Sequence, residues 1–427
     1  MLILKVVFLQ FFWLAIVLFG ASINEILLIS WSIFIVGANF LIYKPVISIG
    51  RFFFVALLFT TFGYIHDSSL IWLKIILSES YSYGFLSLWI VFISYYGDVF
   101  NKLKELPLLF LAILGGIGGS LAYWSAYKLG ALSIALDSET FYLIFVFVLW
   151  GIFFPLSMWV FYEDKYWDFI LDKTIVFSFD KSGYKRHKSK FEGDFSQKDL
   201  TGKISLVTGG TSGIGGEVAQ ELSGLGSKVF VTGRNEQKGR SFIENNLNLH
   251  FHSLDMANWN RIKDFCNKGN CFDYIVLNAG GMPDSLVLND FSVEHQCASQ
   301  LIGHYYLIYM LKKYGKINRH ARIIWVSSGG MYLKKLDLDS LFHNQKYEKV
   351  STYSNVKRAQ VTLVEELSRQ VRWKNVQVFS MHPGWVGTYG LKEALPIFFS
   401  LMKNRLRDMK EGADTIIWLL LTEESLT

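Results

Sequence analysis

The stretch Lys203–Gly215, KISLVTGGTSGIG, decides the fold. Its opening residues, through Thr208, form a short apolar run with branched side chains, the pattern of a parallel strand buried on both faces. The glycines that follow, Gly209, Gly210, Gly213 and Gly215, allow a tight turn from that strand into the amphipathic stretch Gly216–Gly226. A glycine-rich turn alone is a weak signal. Between a strand and a helix it is stronger, because the free backbone N–H groups at a helix N-terminus are a site for a pyrophosphate.

Outward from this turn the same alternation continues. Lys228–Thr232 predicts a second strand, His250–Ser253 a third ending at Asp255, and Tyr274–Leu277 a fourth ending at Asn278-Ala279-Gly280. A helix over Glu294–Tyr314 leads to a strand at Arg322–Val326, and a helix over Tyr353–Arg372 leads to a strand at Val376–Ser380. Strands alternating with helices at this spacing predict an α/β, Rossmann-like, doubly wound parallel sheet. Asn278-Ala279-Gly280, Ser327-Ser328, Tyr353-x3-Lys357 and His382-Pro383-Gly384-Trp385-Val386-Gly387-Thr388 fall at ends of these elements, in order after the glycine turn.

Tyr353 and Lys357 are four apart and share one helix face. A free tyrosine, with a pKa near 10, is a poor base at neutral pH. A nearby ammonium favours the phenolate, so the pair can pass a proton to or from a carbonyl oxygen. Ser328 can hold the same oxygen and stabilise its developing charge. The second strand ends in Thr232-Gly233-Arg234, with no carboxylate to bind a ribose 2′-hydroxyl. Arg234 there can pair with a 2′-phosphate, which favours NADP(H) over NAD(H).

The ordered motifs resemble those of the short-chain dehydrogenase/reductase superfamily. VSSGGM, SMHPGW, GADTIIWL and the earlier Lys181-Ser182-Gly183-Tyr184 are most similar to its dehydrogenase/reductase member twelve group, which lies near the retinol dehydrogenases. The resemblance implies an oxidoreductase with Ser328, Tyr353 and Lys357 as its catalytic set, Lys357 also bonding the nicotinamide ribose. It assigns Thr208, Gly209, Thr211, Ser212, Gly213, Ile214 and Gly215 to the cofactor phosphates. Asp255 and Met256 fall at the adenine, Asn278, Ala279 and Gly280 line the cleft, and Pro383, Gly384, Val386 and Thr388 lie on the carboxamide and phosphate side. The chain departs from the family twice. Gln300 stands where an asparagine completes a water-linked proton relay, and the final strand that usually helps close the substrate pocket is not evident after Gly412–Leu421.

Ahead of this domain the composition changes. The whole chain of 427 residues is 51% hydrophobic, 16% aromatic and only 18% charged, against about 25% charged in a typical soluble protein. The charges are concentrated after Glu163. Apolar runs at Val6–Ala21, Ile26–Tyr43, Ile49–Ile65, Tyr83–Gly97, Leu106–Tyr127 and Phe141–Tyr162 predict a polytopic α-helical membrane domain over 1–162. A basic linker over 163–199 and the catalytic domain over 200–427 follow. Lys5, Lys44, Arg51, Lys102 and Lys104 fall on one side, which places both termini and the catalytic domain in the cytoplasm. Lys181, Lys185, Arg186, His187, Lys188 and Lys190 either meet anionic headgroups of membrane lipid or form a solvated linker. The small-residue surface at Gly115, Gly116, Gly118, Gly119 and Ser120 is read as helix packing, and His66-Asp67 as interfacial residues in preference to a proton relay. FLQFFWLAIVLFGAS, GYIHDSSL and GGIGGSLAYWSAYKLGAL resemble a family of small bacterial inner-membrane proteins of unknown function.

A net charge of +6 without a basic, aromatic-studded stripe excludes a nucleic-acid partner. Cys266, Cys271 and Cys297 match neither a disulfide framework nor a metal site. These readings together predict a membrane-anchored NADP(H)-dependent reductase or dehydrogenase of a lipophilic small molecule. A catalytically silent nucleotide-binding sensor, or a membrane carrier that such a sensor regulates, is the alternative.

Overall fold

In the computed structural model the described residues are 2–19, 24–43, 49–72, 75–77, 83–92, 100–134, 139–162, 168–169, 171–188, 195–342, 347–370 and 373–423. The chain divides into two compact units, Met1–Trp167 and Asp168–Thr427.

The first unit is helical: α1 Leu2–Phe19, α2 Glu25–Tyr43, α3 Ile49–Trp72, α4 Tyr83–Phe92, α5 Leu108–Lys128 and α6 Glu139–Tyr162, with a small antiparallel ribbon pairing Ile76–Leu77 with Ser133–Ile134. Among the described residues α5 and α6 are long and apolar enough to cross a membrane. They lie against each other as the small residues predict. A Cβ on Gly115 would stand 2.4 Å from Cβ of Phe154, and one on Gly119 2.2 Å from the Trp150 ring, so any larger side chain would force the helices apart. Asp67 is enclosed within this unit. It is 2% exposed and accepts from Trp89 Nε1 at 2.6 Å, His66 Nδ1 at 2.8 Å and the Tyr123 hydroxyl. These donors offset the cost of burying a carboxylate.

The second unit opens with two short helices, α7 Ile175–Phe179 and α8 Lys181–Lys188, within the stretch expected as a linker. Several of its basic side chains are ion-paired inside the unit: Arg186 with Asp168 and Asp172, His187 with Asp172, and Lys188 with Asp414. Lys190 lies outside the described residues. There follow β1 Ile204–Thr208, α9 Gly213–Gly224, β2 Lys228–Gly233, α10 Glu236–Ile243, β3 Leu249–Ser253, α11 Trp259–Lys268, β4 Phe272–Leu277, α12 His304–Lys313, β5 Ile317–Val326, α13 Lys349–Arg369, β6 Gln377–Met381 and α14 Met409–Leu421. The sheet has six parallel strands in the order β3-β2-β1-β4-β5-β6.

Alternation along the strands explains the two layers of helices. Leu206, Ile275, Leu277, Ile323 and Trp325 face one core, closed by Ile262 and Cys266 of α11, Leu307 and Leu311 of α12 and Leu367 of α13. Val207, Val229, Val231, Val276 and Ile324 face the other, closed by Val218 and Leu222 of α9 and Ile416 and Leu420 of α14. With both faces covered, most of β1 and β2 and the C-terminal ends of β4 and β5 are buried, and these runs read as apolar. The strand order reverses between β1 and β4, so their C-terminal ends open a crevice for a ligand.

One expected helix is not uniform. Glu294–Tyr314 contains a π-helical segment, Cys297–Gly303, that gives way to α12. The widened turn leaves the Gln300 carbonyl free to accept from both His304 Nδ1, at 3.0 Å, and Gln360 Nε2, at 2.7 Å. Such bulges within helices concentrate at functional sites.

Candidate active site

The crevice begins at the glycine turn. Gly209 takes φ +63°, and a Cβ there would lie 2.8 Å from Ala279 Cα, so a side chain is excluded by both conformation and space. At Gly215 a Cβ would come within 2.4 Å of Asn278 Nδ2 and 2.6 Å of Gly209 O. The turn is thereby pressed onto the end of β4. Asn278 Nδ2 donates to the carbonyls of Thr208 and Gly209, each at 3.1 Å. The Thr208 hydroxyl accepts from the N–H groups of Asn278 and Ala279, at 2.9 and 3.1 Å, and donates to His304 Nε2 at 2.9 Å. His304 is fully buried, and burial followed by the Lys357 charge lowers its pKa to about 3. Its neutral ring therefore carries the bond from β1 through Thr208 to the Gln300 carbonyl.

This cradle fits a dinucleotide. Thr211, Ser212, Gly213 and Ile214 lead into the N-terminus of α9, and no side chain caps it, leaving its first N–H groups for a phosphate. A Cβ on Gly213 would stand 3.5 Å from the Thr388 methyl. The Thr388 hydroxyl is engaged elsewhere, accepting from Leu391 N at 3.0 Å. At the far end of the crevice Arg234 is exposed and donates to His295 Nε2 at 3.4 Å. Lys238 Nζ donates to Ser212 Oγ at 2.8 Å. Lys238 and His295 were not singled out in the sequence. Lys238 was legible, being four residues after Arg234 on a helix that starts at the end of β2, whereas His295 is brought in by a distant loop. Asp255 holds Ala257 N at 2.9 Å. The Met256 side chain packs into the core and is 3% exposed, which leaves its backbone as the part that could face the adenine.

At the other end stand Ser328, Tyr353 and Lys357, the groups expected to handle a reacting oxygen. Ser328 and Tyr353 stand together, a Cβ on Gly330 lying 3.4 Å from both Ser328 Oγ and the Tyr353 ring, and Ser328 Oγ accepts from Gly330 N at 3.1 Å. Lys357 Nζ lies 5.4 Å from the Tyr353 ring centroid and donates to Val326 O at 3.0 Å. Burial lowers the Lys357 pKa from 10.5 to about 7. Tyr353 departs from the sequence expectation: burial raises its pKa, and the bond with Ser328, not the lysine, pulls it back. The physical reason is that the ammonium is itself desolvated and directed at a backbone carbonyl.

Gln300 does not join this group. Its amide donates to Gly281 O at 2.7 Å, and its Oε1 is buried without a partner beside Gly280. Pro383 O accepts from Arg407 at 3.0 Å, Gly384 N donates to His382 Nδ1 at 3.2 Å, and Val386 is 4% exposed against Gly412.

Comparison with known proteins identifies the family. The short chain dehydrogenase family matches residues 203–396, and a family described as a protein of unknown function (DUF2878) matches residues 2–156. Human dehydrogenase/reductase SDR family member 12 is 31% identical over 257 residues, covering 57% of this chain and 79% of that protein. Human retinol dehydrogenase 12 is 27% identical over 238 residues, covering 52% and 75%. Among solved structures, a short chain dehydrogenase from Salmonella enterica serovar Typhi covers 54% of this chain and 93% of its own at 18% identity, with a TM-score of 0.43. The chain belongs to the short-chain dehydrogenase/reductase family, whose fold binds NAD(P), and its second unit is a dehydrogenase/reductase of that family.

Proposed function

We propose that the protein is a membrane-anchored, NADP(H)-dependent oxidoreductase that interconverts a carbonyl and an alcohol on a lipophilic substrate. The observation that carries the reading is the grouping of Ser328 and Tyr353 around Gly330, with Lys357 one turn along α13 and its Nζ 5.4 Å from the Tyr353 ring centroid, at the C-terminal ends of the strands. When bound, the nicotinamide supplies or accepts hydride at the substrate carbon. Tyr353 hands its proton to the carbonyl oxygen, or takes one from the alcohol, and its raised pKa suits the donating role. Ser328 holds that same oxygen and stabilises its developing charge, and Lys357 is read as the group that bonds the nicotinamide ribose.

Arg234 and Lys238 put two cations at the end of β2 and the phosphate turn, which supports NADP(H) over NAD(H). The charge-poor helices of the first unit support multi-pass anchoring, with the catalytic unit on the cytoplasmic side where basic loops fall. A lipophilic substrate is supported by the retinol dehydrogenases among the relatives and by the exposed apolar side chains of Ile397 and Leu401 near the loop after β6. A silent nucleotide-binding module is the second reading, favoured by the Gln300 side chain spent on Gly281 O.

The test is NADPH and NADH oxidation by the full chain in detergent, offered medium- and long-chain aldehydes and ketones. Carbonyl-dependent NADPH oxidation that falls about 10²–10⁴-fold in Tyr353→Phe, with NADPH binding retained, is the expected result. Tight NADPH binding with no turnover across the panel favours the silent module instead.

A further inference from the structure

The helical pair α7–α8 precedes the first strand of the sheet, yet it is bound to residues near the end of the chain. Arg405 donates to Asp180 Oδ2 from Nε at 2.8 Å and Nη2 at 2.5 Å, while Asp180 Oδ1 accepts from Ser182 N and Gly183 N. Arg407 is half-buried and donates to the carbonyls of Ser178, Asp180 and Pro383 at 3.0, 3.1 and 3.0 Å. Backbone bonds from Lys181 N to Arg405 O, 2.9 Å, and from Trp385 N to Phe179 O, 2.8 Å, complete the seam.

That seam places one side chain beside Gly329, the residue after Ser328. Phe179 is 8% exposed, with its ring centroid 4.4 Å from His382, 6.0 Å from Tyr332 and 6.1 Å from Trp385. A Cβ on Gly329 would stand 2.2 Å from the Phe179 ring, while one on the next residue, Gly330, would face Ser328 Oγ and the Tyr353 ring at 3.4 Å. The ring therefore sits one residue from the pair that handles the carbonyl oxygen. Tyr332, at 55% exposure, and the half-buried Trp385 continue the same aromatic surface outward.

We propose that Phe179, from ahead of the dinucleotide-binding sheet, is a wall of the substrate pocket, and that with Tyr332 and Trp385 it selects carbonyls conjugated to a flat unsaturated chain or ring. Aromatic faces stack on planar π systems beyond what area burial alone supplies, a preference of about three- to tenfold per ring. The kinetic arm of this proposal rests on the reductase reading above.

The test uses the full chain in detergent as wild type, Phe179→Ala and the volume-conserving Phe179→Leu. Two readouts are taken: kcat and KM for 2,4-decadienal against decanal with NADPH, and calorimetric binding of cinnamyl alcohol at saturating NADPH, which needs no turnover. Phe179→Ala is expected to erase about three- to tenfold of the preference for the dienal through KM, with kcat within about twofold, and to weaken cinnamyl alcohol binding alike. Phe179→Leu is expected to lose the preference while keeping the thermal transition. An unchanged dienal-to-decanal ratio and unchanged binding, or a fall equal for both aldehydes, overturns the assignment. If the wild type turns over neither aldehyde, the reductase reading fails. The binding arm then decides alone, its loss in both variants sustaining Phe179 as the wall and its persistence, or an absence of wild-type binding, overturning it.

Discussion

Replacing Lys357 by methionine should stabilise the unliganded protein at neutral pH and destabilise it at high pH. Lys357 is 4% exposed, and burial takes its pKa from 10.5 to about 7, a difference of 3.5. At about 1.4 kcal/mol per pKa unit, the folded state disfavours the ammonium by about 5 kcal/mol. The unfolded chain binds this proton below about pH 10.5, the folded one only below about pH 7. Stability therefore rises with pH across that window, and the cost is complete below it. At pH 7 the cost is about 4 kcal/mol. Lys357→Met removes it but strands the Val326 carbonyl, which now accepts from Nζ at 3.0 Å, at a cost of about 1–3 kcal/mol. The net gain at pH 7 is about 1–3 kcal/mol, or roughly 3–10 °C in the transition of a unit of this size. Near pH 10.5 only the lost hydrogen bond remains, so the variant should be the less stable protein. Differential scanning calorimetry in detergent, without cofactor, from pH 7 to pH 10 measures the crossing. Parallel curves for the two proteins, or a variant less stable already at pH 7, would refute the reasoning.

Other expectations follow from the same geometry. Gly215→Ala places a methyl 2.4 Å from Asn278 Nδ2, so it should abolish NADPH binding, checked by cofactor fluorescence, and lower the transition temperature. Arg234→Ala and Lys238→Ala should each weaken NADPH binding by about 10–100-fold, the range of a charged hydrogen bond, and leave NADH binding within about threefold. Equal losses for both cofactors would remove these side chains from the 2′-phosphate. His304, whose pKa falls to about 3 when folded, must charge on unfolding. Its contribution is complete above about pH 6.5 and is lost progressively as pH falls toward 3. His304→Gln should flatten the stability–pH curve in that window, as read by acid denaturation.

The strands were legible because burial on both sides of a parallel sheet leaves little room for polar residues. Lys203–Thr208 and Lys228–Thr232 match β1 and β2 to within a residue. The segment Glu294–Tyr314 was legible as helical but not as π-helical, since the extra turn is set by contacts with His304 and Gln360. The enclosure of Asp67 was not legible, because its partners come from α4 and α5, far along the chain.

The sequence by itself determined the alternation of strands and helices, the glycine turn and the placing of Tyr353 and Lys357 on one helix face, because each is written in local spacing. Only the tertiary structure decided that Gln300 turns to Gly281 O, that Met256 is core, and that Phe179 stands beside Gly329. Those outcomes depend on side chains more than a dozen residues apart competing for the same space and the same hydrogen-bond donors. Distance along the chain does not encode that competition; folding resolves it.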